Sequence, residues 1–469
     1  MPRGLRLVLL LALVLLVSLA AALMVTGIPR NAAGMAAKGA CSAAFVAHRP
    51  AASVMAQDVL PASGVLRLID VSIDEPARRV TARFAGLFER QAQWLPQRGC
   101  VLDVAASTDT VAPSPSPDIQ APWPQGDTAL TAAQWGPDVD APALRLVIAN
   151  AFAGAGDPQA ANARAIAVIH KGRALALQTA PGFALDTPLH GWSMTKTVLG
   201  MLSYKLARET GMSLEQPVVD AIAGARAPAW LADWRADARR TIKVSDLLYM
   251  RDGLASEEQY QPWGSVPRML WGHADAPAYA AMAPTEAAAG QRWRYLSQTA
   301  NLLSAVDRTR FDSDAPYWAY PYRALFEPIG ARTAVLETDT AGNWVGSSYL
   351  WASVGDWARL GQLMLQDGQW NGQAVLPPGW LALASTPSTP EGEGLGYGAQ
   401  TWRIGDPQQG KCRDSGIPAD TLAMSGHWGQ VVAMVPSRDA VIVRLGWTFR
   451  SGQFDSCAFV ASVLKALPP

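Results

Sequence analysis

Apolar and polar residues alternate with two different periods along the chain, which predicts a mixed α and β fold. Short β-branched or alternating runs predict a hairpin at 165–170 and 173–178, and three more strands at 422–426, 431–435 and 440–447. Runs with apolar residues three and four apart predict helices at 142–152, 193–209, 244–250, 299–308, 354–367 and 457–467. Strands thus lie towards both ends of this part of the chain. We therefore expect an α+β fold, an α/β sandwich in which helices flank a central antiparallel sheet, with an inserted, mainly helical lobe at about 212–345.

The N-terminus carries a candidate targeting segment. Arg3 and Arg6 precede an uncharged apolar run over residues 7–28, which is long enough to cross a bilayer as a helix. Basic residues before such a run favour an N-terminus held in the cytoplasm and a body on the other side. We therefore expect residues 1–28 to anchor the protein on the periplasmic side of the inner membrane. A cleaved signal peptide, with small residues at Ser18 and Ala20, is the alternative and would place the protein in the periplasm.

Three regions follow the targeting segment. Residues 29–110 predict a small accessory region, with strands at 65–71 and 79–84. Prolines crowd 112–117 and 121–127, so residues 111–139 predict an extended strap lying on the main domain. Residues 140–469 contain the strands and helices of the predicted sandwich and form the main domain.

Charge and cysteine content narrow the functional class. The 469 residues carry a formal net charge of zero, which argues against nucleic acid as a partner. Four cysteines in an exported chain suggest two disulfides, and sequence proximity favours Cys41–Cys100 and Cys412–Cys457 among three possible pairings. No spacing of Cys or His indicates a metal, and no cofactor is expected. We expect a monomer that acts on a small molecule.

The candidate chemistry lies at Ser193-Met-Thr-Lys196, which opens a predicted helix. Positions i and i+3 share one face of a helix, so the serine hydroxyl and the lysine amine point the same way. A serine needs a base to become a nucleophile, and a lysine serves only if burial lowers its pKa, as its apolar neighbours would do here. The same two-residue pattern recurs at Ser462 and Lys465, where we interpret it as the last turn of a terminal helix with a solvated lysine.

Two later motifs accompany the first in a known order. Tyr295-Leu296-Ser297 and His427-Trp428-Gly429 follow Ser193-Met-Thr-Lys196, and 247–254 reads Leu-Leu-Tyr-Met-Arg-Asp-Gly-Leu between them. Over about 120–465 the chain resembles the serine β-lactamase and penicillin-binding-protein superfamily, in its class C β-lactamase-like branch. It is most similar there to the 6-aminohexanoate-dimer (nylon oligomer) hydrolase-like proteins. The resemblance implies the β-lactamase/transpeptidase-like fold.

The resemblance also implies a role for each motif. Ser193 would form an acyl-enzyme, Lys196 would accept its proton, and Tyr295, as a phenolate or as a relay with Lys196, would protonate the leaving group and later activate water. The backbone N–H groups of Ser193 and Gln430 would form the oxyanion hole. The remaining candidates would line the substrate site: Trp192, Ser297, His427, Trp428 and Gly429.

Three departures from the family pattern argue against β-lactams as substrates. Ser297 stands in place of an asparagine, His427 in place of a lysine that binds the β-lactam carboxylate, and Asp252 where many relatives carry serine. The sequence therefore favours an exported serine hydrolase of small amide, peptide or ester bonds. Alternatives are a carboxylesterase of the same fold and a non-catalytic module that binds the cell wall. An α/β-hydrolase is disfavoured because no Gly-x-Ser-x-Gly surrounds Ser193.

Overall fold

The computed structural model describes residues 3–105, 120–222, 224 and 226–468, and its helices and strands follow each other in a mixed order. The helices are α1 (Arg3–Thr26), α2 (Ile28–Cys41), α3 (Ala51–Val54), α4 (Ala141–Ala151), α5 (Thr195–Thr210), α6 (Val218–Ala221), α7 (Leu231–Ala236), α8 (Val244–Leu248), α9 (Ser265–Pro267), α10 (Ala276–Ala281), α11 (Ser297–Arg308), α12 (Asp314–Pro321), α13 (Glu327–Ile329), α14 (Val354–Leu365), α15 (Trp380–Ser385) and α16 (Ser456–Ala466). The strands are β1 (Ile69–Asp74), β2 (Arg79–Phe84), β3 (Phe88–Leu95), β4 (Gly99–Leu102), β5 (Ala163–His170), β6 (Arg173–Thr179), β7 (Leu189–His190), β8 (Val335–Leu336), β9 (Leu350–Ala352), β10 (Gln369–Trp370), β11 (Gln373–Ala374), β12 (Tyr397–Gly398), β13 (Thr401–Trp402), β14 (Leu422–Gly426), β15 (Gln430–Val435) and β16 (Ala440–Gly446).

The central sheet joins strands from both ends of the main domain. Its seven strands are antiparallel and run in the order β12-β13-β14-β15-β16-β5-β6. The early hairpin β5–β6 meets the late strands through β16, where Ala440 pairs with His170 and Ala167 with Val443. The predicted fold class is therefore confirmed, including the pairing of strands that are far apart in sequence.

Helices cover both faces of this sheet. On one face α14 packs against β5, β15 and β16. Gly361 allows this close approach, because a Cβ there would lie 2.7 Å from side-chain carbons of Val432 and Val441. On the other face α4 and α16 pack together over a second apolar cluster that includes Leu144, Ile148 and Val460. The sheet is thus buried on both faces, as the nearly continuous apolar strands suggest.

Some predicted bounds differ from the observed ones. The strand expected at 65–71 begins only at Ile69, because 64–68 form a 3₁₀ turn that places Leu66 in the core. The helix expected at 244–250 ends at Leu248, since Met250 takes a positive φ of 56° just before the turn at Asp252. Both errors lie where tertiary packing overrides local propensity.

The accessory region forms a four-stranded sheet, β1-β2-β3-β4, and α2 packs against it. Buried polar contacts join this region to the main domain. Lys38 Nζ lies 3.2 Å from Glu337 Oε2, and the same carboxylate accepts hydrogen bonds from Ser42 Oγ (2.9 Å) and Cys100 N (2.7 Å). A buried charge in such a place needs a partner, so these contacts fix the region in one position. The domain limits predicted from the sequence stay a prediction.

Both favoured disulfides are formed. Cys41 pairs with Cys100 at the end of α2 and the start of β4, and Cys412 pairs with Cys457 at the start of α16. The first bond closes the accessory region. The second ties the loop after β13 to the C-terminal helix.

The strap lies on α14 at its described end. The guanidinium of Arg359, on α14, binds Asp127 (2.9 Å) and the carbonyl groups of Pro124 (3.1 Å) and Gly126 (2.7 Å). Residues 120–130 thus follow the surface of the main domain, as the proline pattern suggests. The proline-rich part at 112–117 lies outside the described residues.

The predicted membrane anchor finds no support in the structure. Within the residues it describes, no helix is both long and apolar enough to pass through a membrane.

Candidate active site

The chain turns sharply where Ser193 is presented. Strand β7 ends at His190, a 3₁₀ turn covers Trp192–Met194, and α5 begins at Thr195. Gly191 is required in this turn, because a Cβ would lie 2.1 Å from the ring of Trp357. Trp192 has φ of 50°, a conformation that costs about 1–3 kcal/mol and is held by its surroundings. Ser193 thereby stands just before the first residue of α5, where its own backbone N–H can bind an anion at the helix start.

Lys196 is held against Ser193 by three short contacts. Its Nζ lies 3.0 Å from Ser193 Oγ, 3.0 Å from Ser297 Oγ and 2.9 Å from the carbonyl oxygen of Ser347. The side chain is 1% exposed. Burial lowers the pKa of Lys196 to about 8 because water no longer stabilises the ammonium form, although nearby Glu258 opposes this shift. About one tenth of the amine is therefore neutral at pH 7, far more than for an ordinary lysine.

Tyr295 lies on the other side of this lysine. Its half-buried ring sits 4.8 Å from Lys196 Nζ and packs against Tyr397 and Trp402. Tyr295 and Ser193 line the same cavity. Burial, and then the charge of Glu258, raise the pKa of Tyr295 above that of a free phenol. The raised pKa favours the neutral phenol, and the two roles expected for Tyr295, as a phenolate or as a relay with Lys196, stay predictions.

Sequence reasoning missed Glu258 and Tyr260, which lie on the loop between α8 and α9. Glu258 accepts hydrogen bonds from the backbone N of Ser297 at 2.7 Å and from its hydroxyl at 2.6 Å. The hydroxyl of Tyr260 donates to Glu258 at 3.3 Å, and Tyr260 lines the same cavity as Ser193. The loop has no periodic pattern, so only the crowding of acidic and aromatic residues at 257–260 could have indicated a site.

Ser297 takes part in the site in a way that the sequence did not predict. It is fully buried at the first turn of α11, where its hydroxyl bridges Lys196 and Glu258. Both hydrogen-bonding capacities of the hydroxyl are thereby engaged within the protein. Asp252, the third departure from the family pattern, is also buried and accepts hydrogen bonds from Thr299 Oγ1 (2.5 Å) and Leu254 N (2.9 Å); burial raises its pKa to about 6.

His427 stands opposite Ser193, at the end of β14. Its ring stacks on Tyr260, with centroids 4.4 Å apart and planes 7° apart, and meets the edge of Trp192 at 5.4 Å. Burial lowers its pKa to about 4, so the imidazole is neutral at physiological pH. The histidine therefore provides a flat, uncharged wall at this place.

The remaining motif residues form the turn between β14 and β15. Trp428 and Gly429 both have positive φ, and Gly429 is required because a Cβ would lie 2.7 Å from Arg444 Nη1. The side chain of Gln430 holds this turn: its Nε2 donates to the carbonyl of His427 at 3.1 Å, and its Oε1 accepts from Gly446 N at 3.0 Å. The motif thus shapes the hairpin beside the nucleophile.

These groups surround an open cavity of about 220 Å³. Ser193, Glu258, Tyr260, Tyr295 and His427 all line it, together with Ser425 and Gly426 of β14. Trp192, Ser297, Trp428, Gly429 and Gln430 adjoin the site without lining this cavity. Within the described residues, no group of three or more His, Cys, Asp or Glu side chains is placed to hold a metal ion. The arrangement places a buried amine, two phenols and a carboxylate around one serine. Groups of these types can serve as nucleophile, base and acid in acyl transfer.

The sequence itself identifies the family. The sequence model of the Beta-lactamase family matches residues 148–456, more than half of the chain, so the chain belongs to the beta-lactamase family, a family of serine hydrolases. The match begins within α4 and ends at the first residue of α16. It includes all three motifs and leaves out the accessory region.

Solved structures share the fold at low sequence identity. A protein described as a 6-aminohexanoate-dimer hydrolase from Bacillus anthracis has TM-score 0.52 and 19% identity, covering 67% of this chain and 82% of its own. EstCE1, a hydrolase with promiscuous acyltransferase activity, has TM-score 0.53 and 15% sequence identity, and the match covers 70% of this chain and 98% of EstCE1. A family VIII carboxylesterase has TM-score 0.52 and 13% sequence identity, and the match covers 71% of this chain and 97% of the carboxylesterase. Curated protein sequences give no match.

Proposed function

We propose that the protein is an exported serine hydrolase that cleaves small amide, peptide or ester bonds through an acyl-enzyme on Ser193. The observation that carries the proposal is the set of contacts at Lys196 Nζ. A neutral amine has two N–H groups and one lone pair. The carbonyl of Ser347 can only accept, so it takes one N–H at 2.9 Å.

The acceptor of the second N–H of Lys196 follows from the position of Glu258. Because the hydroxyl of Ser297 donates its proton to Glu258 at 2.6 Å, that hydroxyl can only accept from Lys196. The lone pair of Lys196 is left for the third neighbour, Ser193 Oγ, at 3.0 Å. Lys196 is therefore oriented as a base towards the serine proton, and its depressed pKa increases the neutral fraction that can fill that role.

The reaction follows from these positions. Lys196 takes the proton of Ser193 as Oγ bonds to the substrate carbonyl carbon and the carbonyl π electrons move to oxygen. The proton then passes through Tyr295 to the leaving oxygen or nitrogen, whose bond to carbon breaks. Water enters by the reverse route: Tyr295 and Lys196 take its proton, hydroxide attacks the acyl carbon, and Ser193 regains its proton on release of the acid.

The developing oxyanion is held by the N–H of Ser193 at the helix start, with Gln430 N as the second predicted donor. Gln430 lies behind the hairpin turn, and Ser425 and Gly426 stand closer to the cavity. The second donor therefore belongs to the hairpin β14–β15, with Gln430 N as the candidate taken over from the family motif.

The polar groups of the site disfavour a substrate carboxylate. Glu258 supplies negative charge to the cavity, His427 is neutral, and the hydroxyl of Ser297 is already engaged. A β-lactam carboxylate would thus meet a neutral imidazole at the motif position where β-lactamases offer a lysine, since the cation that lines this cavity, Lys411, lies on the loop after β13. We expect little or no turnover of nitrocefin by the purified protein, and efficient hydrolysis would contradict this assignment.

Labelling with a fluorophosphonate probe tests the proposal. We expect an adduct on Ser193, located by mass spectrometry, and loss of labelling in Lys196→Ala. Absence of labelling in the wild-type protein would refute the enzyme and favour a binding module. Hydrolysis of p-nitrophenyl esters without hydrolysis of the matching anilides would select the carboxylesterase.

Export is proposed on separate grounds. Two disulfides, one in the accessory region and one in the main domain, form and persist in oxidising compartments and are rare in the cytosol. On fractionation of the native host, we expect the protein to be recovered outside the cytoplasm, with disulfides that a mild thiol does not reduce.

A further inference from the structure

A second cavity lies beside the catalytic one, between the accessory region and the main domain. Its volume is about 110 Å³. The accessory region contributes Ala32 and Met35 from α2, and Ala62, Val65 and Leu66 from the turns before β1. Asn31 and Ser63 are the polar residues of this side. This part of the chain lies outside the match to the Beta-lactamase family.

The main domain contributes aromatic walls to the same cavity. They come from Trp192, Tyr260, Trp271, His427 and Trp428. Tyr260 and His427 line both cavities, so the two are separated by the width of one stacked ring pair. Trp192 precedes the nucleophile, and its Cα is therefore about 3.8 Å from that of Ser193.

We propose that this cavity binds the apolar acyl group of the substrate, which makes the enzyme selective for medium-length fatty acyl esters or amides. The inference rests on the proposed function and adds the substrate class. An acyl chain carried by Ser193 passes the edge of the Tyr260–His427 pair and lies among the tryptophans and Met35. Mostly hydrophobic lining with few polar groups is typical of a site for an apolar ligand.

The acyl side of the substrate is assigned by the position of the proton donor. Tyr295 and Trp402 line the catalytic cavity and do not line the second one. The leaving group must stay within reach of Tyr295, because it receives its proton there. The acyl group is then left to point towards Tyr260 and His427, which lead to the second cavity.

The volume sets the length of the chain. An apolar cavity of about 150 Å³ holds a benzene molecule, so 110 Å³ holds a group of about four or five carbons beyond the carbonyl. Each methylene moved from water into such a site raises binding about 4-fold. We expect kcat/KM for p-nitrophenyl esters to rise by up to about 250-fold from acetyl to hexanoyl, which adds four methylenes, and to fall again beyond hexanoyl.

Two substitutions of opposite sense test the assignment. Ala62→Leu fills the cavity and should lower kcat/KM for the hexanoyl ester about 10-fold while changing the acetyl ester less than about 2-fold. Met35→Ala enlarges it and should move the optimum about two carbons longer. Met55→Ala and Ala51→Leu are matched controls, since both residues are half-buried in the accessory region and do not line the cavity.

The outcomes separate this inference from the proposed function. If the probe labels Ser193 but the dependence of kcat/KM on acyl-chain length is unchanged in both variants, the acyl subsite is refuted and the proposed hydrolase function is not. A flat profile in the wild-type protein refutes the subsite as well. Loss of labelling and of acetyl-ester hydrolysis in the wild-type protein refutes both. Shifts in opposite directions in the two variants, with unchanged controls, support the acyl subsite.

Discussion

Replacement of Glu258 by glutamine tests most directly whether the charge of Glu258 raises the pKa of Lys196. Lys196 Nζ lies 3.0 Å from Ser297 Oγ, which lies 2.6 Å from Glu258 Oε1, so the amine and the carboxylate are at most about 5.6 Å apart. At an effective dielectric constant of about 20, two unit charges at that distance interact by about 3 kcal/mol, and at about 40 by half of that. Removal of the charge should therefore lower the pKa of Lys196 by about 1–2 units.

The sign of the change in activity follows from the role of the lysine. Lys196 acts as a base only when neutral, and its pKa is about 8. In the wild-type protein kcat/KM should thus rise as the pH rises towards 8 and level off above it. In Glu258→Gln the rising limb should move to lower pH by about 1–2 units, because the ammonium loses the carboxylate that stabilises it. The plateau should fall about 10-fold, since Ser297 loses its charged acceptor.

The assay must report on the enzyme and not on the substrate. The rate of fluorophosphonate labelling and kcat/KM for an uncharged ester, both followed from pH 5 to 10, meet this need. Glu257→Gln removes the neighbouring, exposed carboxylate and should leave the limb in place. If the rising limb of the pH profile of kcat/KM stays near pH 8 in Glu258→Gln, or moves to higher pH, the coupling of Glu258 to Lys196 is refuted.

Three further changes have expected results of known direction. Lys196→Ala should lower kcat about 10³-fold in ester hydrolysis, because a positioned base contributes about 10²–10⁴. Lys38→Ala leaves the buried Glu337 carboxylate without its cation and should lower the free energy of unfolding by about 3–5 kcal/mol in urea denaturation. Replacing Cys41 and Cys100 by serine opens a loop with a sequence separation of 59 and should lower the same quantity by about 4 kcal/mol.

Controls for these changes are available in the chain. Lys465→Ala removes the lysine of the second Ser-x-x-Lys copy, which is exposed on α16, and should leave kcat unchanged. An equal loss in both lysine variants would contradict the role of Lys196. Lys171→Ala, at an exposed turn, should change the unfolding free energy by less than about 0.5 kcal/mol. A comparable loss there would contradict the assignment of stability to the Lys38–Glu337 pair.

The parts of the site that the sequence predicts are those set by local geometry. Ser193 and Lys196 are three residues apart at a helix start, so their proximity follows from the period of the helix, and the structure places them 3.0 Å apart. The hairpin strands β14 and β15 are predicted by their short apolar runs, and β15 also by its β-branched residues Val431, Val432 and Val435. Glu258 and Tyr260 lie on a loop whose path depends on packing against α11 and β14, which no period along the chain encodes.

Family membership and substrate choice reside in different parts of this chain. The match at 148–456 contains the proposed nucleophile, base and tyrosine, which would perform the same bond changes on any acyl group. The second cavity is closed by Met35, Ala62 and Leu66, which precede that match. These residues are held in place by contacts such as the Lys38–Glu337 pair, and Trp192 joins their cavity to the nucleophile. Selectivity for the acyl group should therefore change with the accessory region while the chemistry at Ser193 does not.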